Sequence, residues 1–282
     1  MFGRLPLFCA PSLYFAPPFA YRYPMPMPAY GYYPVPNQGA MPTRSFWSVP
    51  PVSWVSPGHP APSATATTTA TSAELTPDDA ESVAEVLDFW FGDGRLVEPA
   101  IKYDVWFKGG EAIDEAIKSK FGGAVSAALA GGLASWESND AGRVAKLLVL
   151  DQFTRNMFRG SAQAFAGDSI ALQLANDAVA DGLVDRVHPV VAGFVLLPFE
   201  HSESIEDQGV MEEQTERLVE RAKKDAHPDE VVSLCENYLQ YAIDHGDIVR
   251  RFGRYPHRNK VLGRENTPEE DEYLKDAETF GQ

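Results

Sequence analysis

The uneven distribution of proline and acidic residues most limits what this chain can fold into. Residues 1–73 hold fifteen of the 22 prolines and no Asp or Glu, and their only basic side chains among Lys and Arg are Arg4, Arg22 and Arg44. Proline removes an amide donor and locks φ, so a segment whose aromatics (Tyr30, Tyr32, Tyr33, Phe46, Trp47, Trp54) alternate with it forms neither a regular helix nor a sheet. The segment closes on a Ser/Thr/Ala run over 63–72. We therefore expect a disordered Pro/aromatic/Ser/Thr-rich tail over 1–73 and an independent domain over 74–282. An acid-free, weakly basic tail rich in Ser and Thr has the composition of a transit peptide for a mitochondrion or plastid, and the alternative is an extension on a cytoplasmic protein. A secretory signal fits less well, because four prolines interrupt the apolar stretch over 5–20.

The remainder carries all 40 acidic side chains against 21 of the 24 Lys and Arg, a net charge of about −19. Such a field repels a phosphate backbone, so nucleic acid is excluded as a partner unless a basic stripe is segregated on one face. No apolar run approaches the ~18 residues of a membrane span. The longest, over 190–199, has the length of a core helix. Of the two cysteines, Cys9 lies in the tail and Cys235 inside a helical pattern, where it reads as a small buried apolar residue.

Within 74–282 the apolar periodicity is helical throughout, and nothing alternates with the period of paired strands. Thr76-Pro77-Asp78-Asp79 is a helix start, with a hydroxyl cap, proline at the first position and acids in the first turn, and Thr267-Pro268-Glu269-Glu270 repeats the device. Helices are predicted between these near 110–120, 123–130, 141–158, 168–181, 188–206, 208–224 and 229–254. The expected fold is all-α, an irregular stack of helical hairpins like that of tetratricopeptide repeats but with no strict internal repeat.

Three segments concentrate polar residues. Gln152, Arg155, Asn156 and Arg159 share one helix face, with Asp151 one turn before Arg155, so this stripe should meet another polar surface. Pro198 bends the next helix just before Glu200, His201 and Glu203. The third segment, Arg251 to Asn259 with Arg264, places four arginines and a histidine in an acidic domain. His245 should point inward, and Pro256 should end the helix and leave His257, Arg258 and Asn259 on a stiffened connection of the kind on which binding sites lie.

The strings VLDFWFG (86–92), LLVLDQFTRNMFRG (147–160), LPFEHSESIEDQ (197–208) and FGRYPHRNKVLGRENTPEE (252–270) resemble a bacterial family, domain of unknown function 924. The resemblance spans about 80–274. It implies an all-α, tetratricopeptide-repeat-like fold, no established activity, and motif residues at Asp151, Gln152, Arg155, Asn156, Arg159, His201, Ser202, Glu203, Asp207, Gln208, His245, Phe252, Gly253, Arg254, Pro256, His257, Arg258, Asn259 and Arg264.

Three functions remain open on the sequence. In the first, Asp151, Gln152, Arg155, Asn156, Arg159, His201, Asp207, Gln208, Arg254, His257, Arg258, Asn259 and Arg264 line a site for a small anionic molecule or peptide, with guanidinium groups gripping a carboxylate or phosphate. In the second, the protein is a hydrolase in which His201 and His257 serve as acid and base and Glu203 or Asp207 orients a histidine. No nucleophile elbow, P-loop or zinc-protease pattern supports that reading, no cofactor is implied, and the His201, Glu203, Asp207 and His257 set lacks diagnostic metal-ligand spacing. In the third, arginines and carboxylates form a network that only fixes packing. Arginines of such a network would be saturated by carboxylates, whereas those of a site would leave donors facing a pocket.

Overall fold

The computed structural model describes residues 74–277, and the readings made for 1–73 lie outside the described residues. Those described residues are helical and contain no strand, as the periodicity predicts. In chain order the α-helices are α1 (Pro77–Phe91), α2 (Glu111–Leu129), α3 (Asp140–Leu148), α4 (Thr154–Met157), α5 (Asp168–Ala180), α6 (Leu183–Arg186), α7 (Pro189–Glu200), α8 (Ile205–Lys224), α9 (Asp229–Phe252) and α10 (Pro268–Tyr273). Short π and 3₁₀ turns join several of them.

Caps fix the ends where the sequence places them. Thr76 accepts the amide of Asp79 at the start of α1, and Thr267 and Glu270 form a reciprocal capping box on α10. At the other end of α9, Gly253 takes the left-handed conformation and closes the helix.

Every residue of α7 is buried, which makes it the axis of the domain. It packs against α3, α5, α6, α8 and α9, and α8 and α9 pair as a helical hairpin across the link 225–228. Its Phe194 sits among Trp90, Phe91, Trp106 and Tyr238, with ring centroids 4.9–6.1 Å apart and mostly edge to face. The preceding residue, Gly193, lets α9 approach: a Cβ there would lie 2.1 Å from the Tyr238 ring.

Local departures from the predicted helices have physical causes. Gly122 and Gly123 do not divide α2, because flanking Phe121 and Val125 are buried in the core and hold one continuous helix. The segment read as a single helix over 141–158 contains a π turn at Val149–Phe153 between α3 and α4. A π turn inserts a residue into the helical register and so redirects the side chains around it. Here it helps turn Asp151 into the interior, where it is 1 % exposed. Finally, α7 stops at Glu200 rather than near 206, two residues after Pro198, and Ser204 caps α8.

Gly193→Ala should cost about 1–3 kcal/mol by overpacking against Tyr238, seen as a fall of several degrees in Tm at roughly 2–4 °C per kcal/mol. Gly123→Ala, with open space around its Cβ position on an exposed part of α2, should instead stabilise by about 0.5–1 kcal/mol. Parallel thermal melts decide. Equal responses would show that helix propensity, not the close approach of α9, governs position 193.

Candidate functional site

The π turn, the end of α7 and the start of α5 meet around buried charges. His201 Nδ1 lies 2.7 Å from Asp151 Oδ1, and Gln152 donates to Asp151 Oδ2 at 2.6 Å. Arg155 reaches Asp151 Oδ1 at 3.3 Å and donates to the Asp151 carbonyl at 2.7 Å. Burial would raise the Asp151 pKa, but the charges of His201 and Arg155, with the hydrogen bonds from His201 and Gln152, outweigh it and hold the carboxyl well below the usual range. An ionised carboxylate only accepts, so the proton in this pair belongs on Nδ1. That leaves the Nε2 edge of His201 without a hydrogen bond among the described residues.

Arg155 is fully committed. Besides Asp151 it holds Asp168, the first residue of α5, through two parallel bonds of 2.9 and 3.1 Å. Gly167 makes this possible, since a Cβ there would fall 2.2 Å from the Leu150 carbonyl oxygen in the π turn. The polar stripe therefore divides: Asn156 and Arg159 turn away to Asp114 of α2, at 2.8 and 3.1 Å.

Beside these lies a cavity of about 260 Å³. Phe165, Leu172, Pro198 and Leu262 form its apolar wall, and Asp168, Ser169, His201, Ser202, Glu203 and Arg258 its polar one. His201 and Ser202, just beyond the end of α7 at Glu200, both line the cavity.

Both carboxylates in the wall are already matched, Asp168 by Arg155 and Glu203 by Arg264 through bonds of 2.6 and 2.9 Å. Glu203 also accepts the Tyr255 amide at 2.8 Å. Burial raises its pKa, but these bonds and the Arg264 charge bring it below the usual range.

Arg258 is different. Only 7 % exposed, it lies between the rings of Tyr255 and Phe165, with its guanidinium carbon 4.3 and 4.8 Å from their centroids. One of its nitrogens donates to the His201 carbonyl at 2.9 Å, but Asp168 is 3.9 Å away, too far for a hydrogen bond, and the buried Nε has no acceptor among the described residues. Burial, and then the Arg155 charge, hold its pKa below the ordinary arginine value, so the cation is under-compensated. The adjoining first turn of α5 has no side-chain cap, because its N-cap is Gly167.

The other sequence-predicted residues serve as supports outside the cavity wall. Arg254 is gripped by Glu270 at 2.6 and 2.8 Å and donates to the Glu265 carbonyl. Asp207 accepts the Ser202 hydroxyl at 2.6 Å. Gln208, wholly buried, donates to the carbonyls that end α7 and to the Tyr255 hydroxyl, which itself donates to the Glu200 carbonyl. Asn259 braces the loop through Asn266 at 2.8 Å. His257 is packed against Tyr255, and burial followed by the Arg258 charge lowers its pKa to about 4, which keeps it neutral near pH 7. His245 is buried, as predicted, with Nδ1 at 2.8 Å from the Tyr241 carbonyl.

Sequence reasoning missed Asp114, Phe165, Asp168, Ser169 and Leu262. Asp168 carried a usable signal, an acid in the first turn of a predicted helix. Among the described residues, no three His, Cys, Asp or Glu side chains form a metal-holding group, and no helix is long and apolar enough to cross a membrane.

Arg254 and the Thr267 cap hold the Glu270 pKa down to about 2 from an ordinary 4.5. A depressed carboxylate contributes stability that is complete above its unfolded pKa and lost as pH falls through the folded one. Acid unfolding of the wild type should therefore steepen between pH 4.5 and 2, and Glu270→Gln should be less stable at neutral pH with a flatter profile in that window. Superimposable profiles would refute the assignment.

The family model described as bacterial protein of unknown function (DUF924) matches residues 86–278. A solved structure of a protein of unknown function from Agrobacterium tumefaciens is similar at 35 % identity with a TM-score of 0.56, covering 70 % of this chain and 99 % of that one. No curated protein matches.

Proposed function

The chain belongs to this bacterial family of unknown function, and we propose that the domain binds a small carboxylate with a short apolar body in the cavity between α5, the end of α7 and the 256–262 loop. The observation that carries the reading is Arg258: a buried guanidinium, stacked between two rings, in the wall of a cavity and with donors unused. A buried donor without an acceptor costs about 1–3 kcal/mol, and more when charged, so a ligand that supplies the acceptor is favoured there. The uncapped start of α5 adds amides and the positive end of a helix dipole beside it.

Charge balance argues for a single negative charge. Arg155, Arg258 and Arg264 face Asp151, Asp168 and Glu203, so the surroundings are close to neutral and do not favour a polyanion. Phe165, Leu172, Pro198 and Leu262 suit a short aliphatic or aromatic body. The same pairing speaks against Arg155, Arg159 or Arg254 as ligand contacts, since their donors are already spent on carboxylates.

Thermal shift on the full chain tests this with acetate, butyrate, benzoate and inorganic phosphate. A ligand at a hundred times its Kd adds ~2.7 kcal/mol, so the Tm should rise by several degrees for a carboxylate, at roughly 2–4 °C per kcal/mol. The rise should vanish in Arg258→Gln and in Leu262→Trp, which fills the rim of the cavity from an exposed position. Shifts that persist in both variants, or no shift for any carboxylate, would sink the proposal.

A further inference from the structure

We propose that this cavity is also a reaction site, in which His201, oriented by Asp151, acts as the general base in hydrolysis of a small carboxylic ester. The inference rests on the carboxylate-binding reading and extends it, because the bound carboxylate is then the product of the reaction.

Four observations converge. First, the Asp151–His201 contact of 2.7 Å fixes the imidazole from behind with a carboxylate that is 1 % exposed. With Nδ1 donating to Asp151, the remaining nitrogen Nε2 carries the lone pair on the cavity side, the arrangement an acid–base histidine needs. Second, Arg155 binds both Asp151 and Asp168, which locks the carboxylate that holds the imidazole to the first turn of the helix lining the cavity. Third, the under-compensated Arg258 donates to the carbonyl of His201 itself and so lies beside the base, where developing negative charge would be stabilised. Fourth, the ring of near-neutral charge suits a substrate that begins uncharged and becomes anionic only in the transition state.

The nucleophile is water. Ser202 directs its hydroxyl hydrogen to Asp207 at 2.6 Å and not to His201, so it is not activated by this histidine. His201 Nε2 removes a proton from water while the water oxygen bonds to the acyl carbon, and the carbonyl electron pair moves onto oxygen. Arg258, with amides at the start of α5, stabilises that oxyanion. As the oxyanion collapses, the bond from the acyl carbon to the alkoxy oxygen breaks, and the proton on Nε2 passes to the departing alkoxide. One ester and one water become one carboxylic acid and one alcohol, and His201 is restored. The acid then loses its proton to solvent and remains as the carboxylate held by Arg258. In this scheme His201 is the catalytic residue and Asp151 a positioning residue.

The test uses the full chain and p-nitrophenyl acetate and butyrate, followed with pH, beside the butyrate thermal shift. His201→Gln should lower kcat by ~10²-fold or more while leaving the butyrate shift in place. Asp151→Asn should lower kcat with little change in KM and alter the pH dependence of kcat, which a purely structural loss would not do. Leu262→Trp, outside the catalytic pair, should abolish both turnover and the butyrate shift, and butyrate should inhibit competitively at the concentration that produces the shift. A butyrate shift with turnover no faster than that of the heat-denatured chain overturns the catalytic inference and leaves the binding proposal standing. Neither shift nor turnover overturns both. If His201→Gln does not fold, turnover that survives Leu262→Trp unchanged overturns the inference independently.

Discussion

A buried carboxylate is the constraint on which this structure turns. Asp151 sits in the core at 1 % exposure, and a charge in that position is tolerated only if opposite charge and hydrogen bonds replace the water it has lost. The partners come from the π turn itself (Gln152), from α4 (Arg155) and from the end of α7 (His201). Arg155 then needs a second carboxylate, which fixes the start of α5 through Asp168. In this way one charge dictates where three helices meet. Removing one partner from such a set is expected to cost ~3–5 kcal/mol, because the other charges remain buried.

The arginine-rich segment follows a similar rule with a different result. In an acidic domain each guanidinium finds a carboxylate: Arg251 pairs with Glu269, Arg254 with Glu270 and Arg264 with Glu203. These pairs pin the loop that follows α9 against the end of α7 and against α10. Arg258 alone among the four lacks a carboxylate within hydrogen-bond distance, and it has exchanged that partner for two aromatic faces. Local charge pairing, not the overall negative field, therefore sets the potential inside the cavity.

Much of the fold was legible in the sequence, because it depends on local signals. The caps at Thr76 and Thr267, the stop at Gly253 and Pro256 and the apolar stretch that became α7 all act within a few residues. The π turn was not legible: the Asp151 side chain it turns inward meets His201, fifty residues distant in the chain. The three polar segments were correctly seen as one neighbourhood to the extent that His201, Arg155 and Arg258 meet. Which arginine is left without a carboxylate within hydrogen-bond distance was invisible, because it depends on where Asp114, Asp168 and Glu270 fall in space. The sequence offered Glu203 or Asp207 to orient a histidine, whereas the fold sets Asp151, fifty residues earlier in the chain, against the His201 ring.

A structural network and a ligand site are not competing descriptions here. Arg155 is matched by Asp151 and Asp168, and Arg264 by Glu203, and a domain that needed only packing could have given Arg258 a carboxylate in the same way or replaced it with an apolar residue between Phe165 and Tyr255. An apolar side chain there would avoid the desolvation cost of a cation, and replacing buried charged groups with well-packed apolar residues of similar volume is often neutral or stabilising. Arg258 instead keeps a stacked guanidinium whose buried Nε finds no acceptor among the described residues, at the wall of a cavity. In the proposed reading a ligand in the cavity accepts a hydrogen bond from Arg258, and His201, oriented by Asp151 on the same wall, is the group placed to act on it.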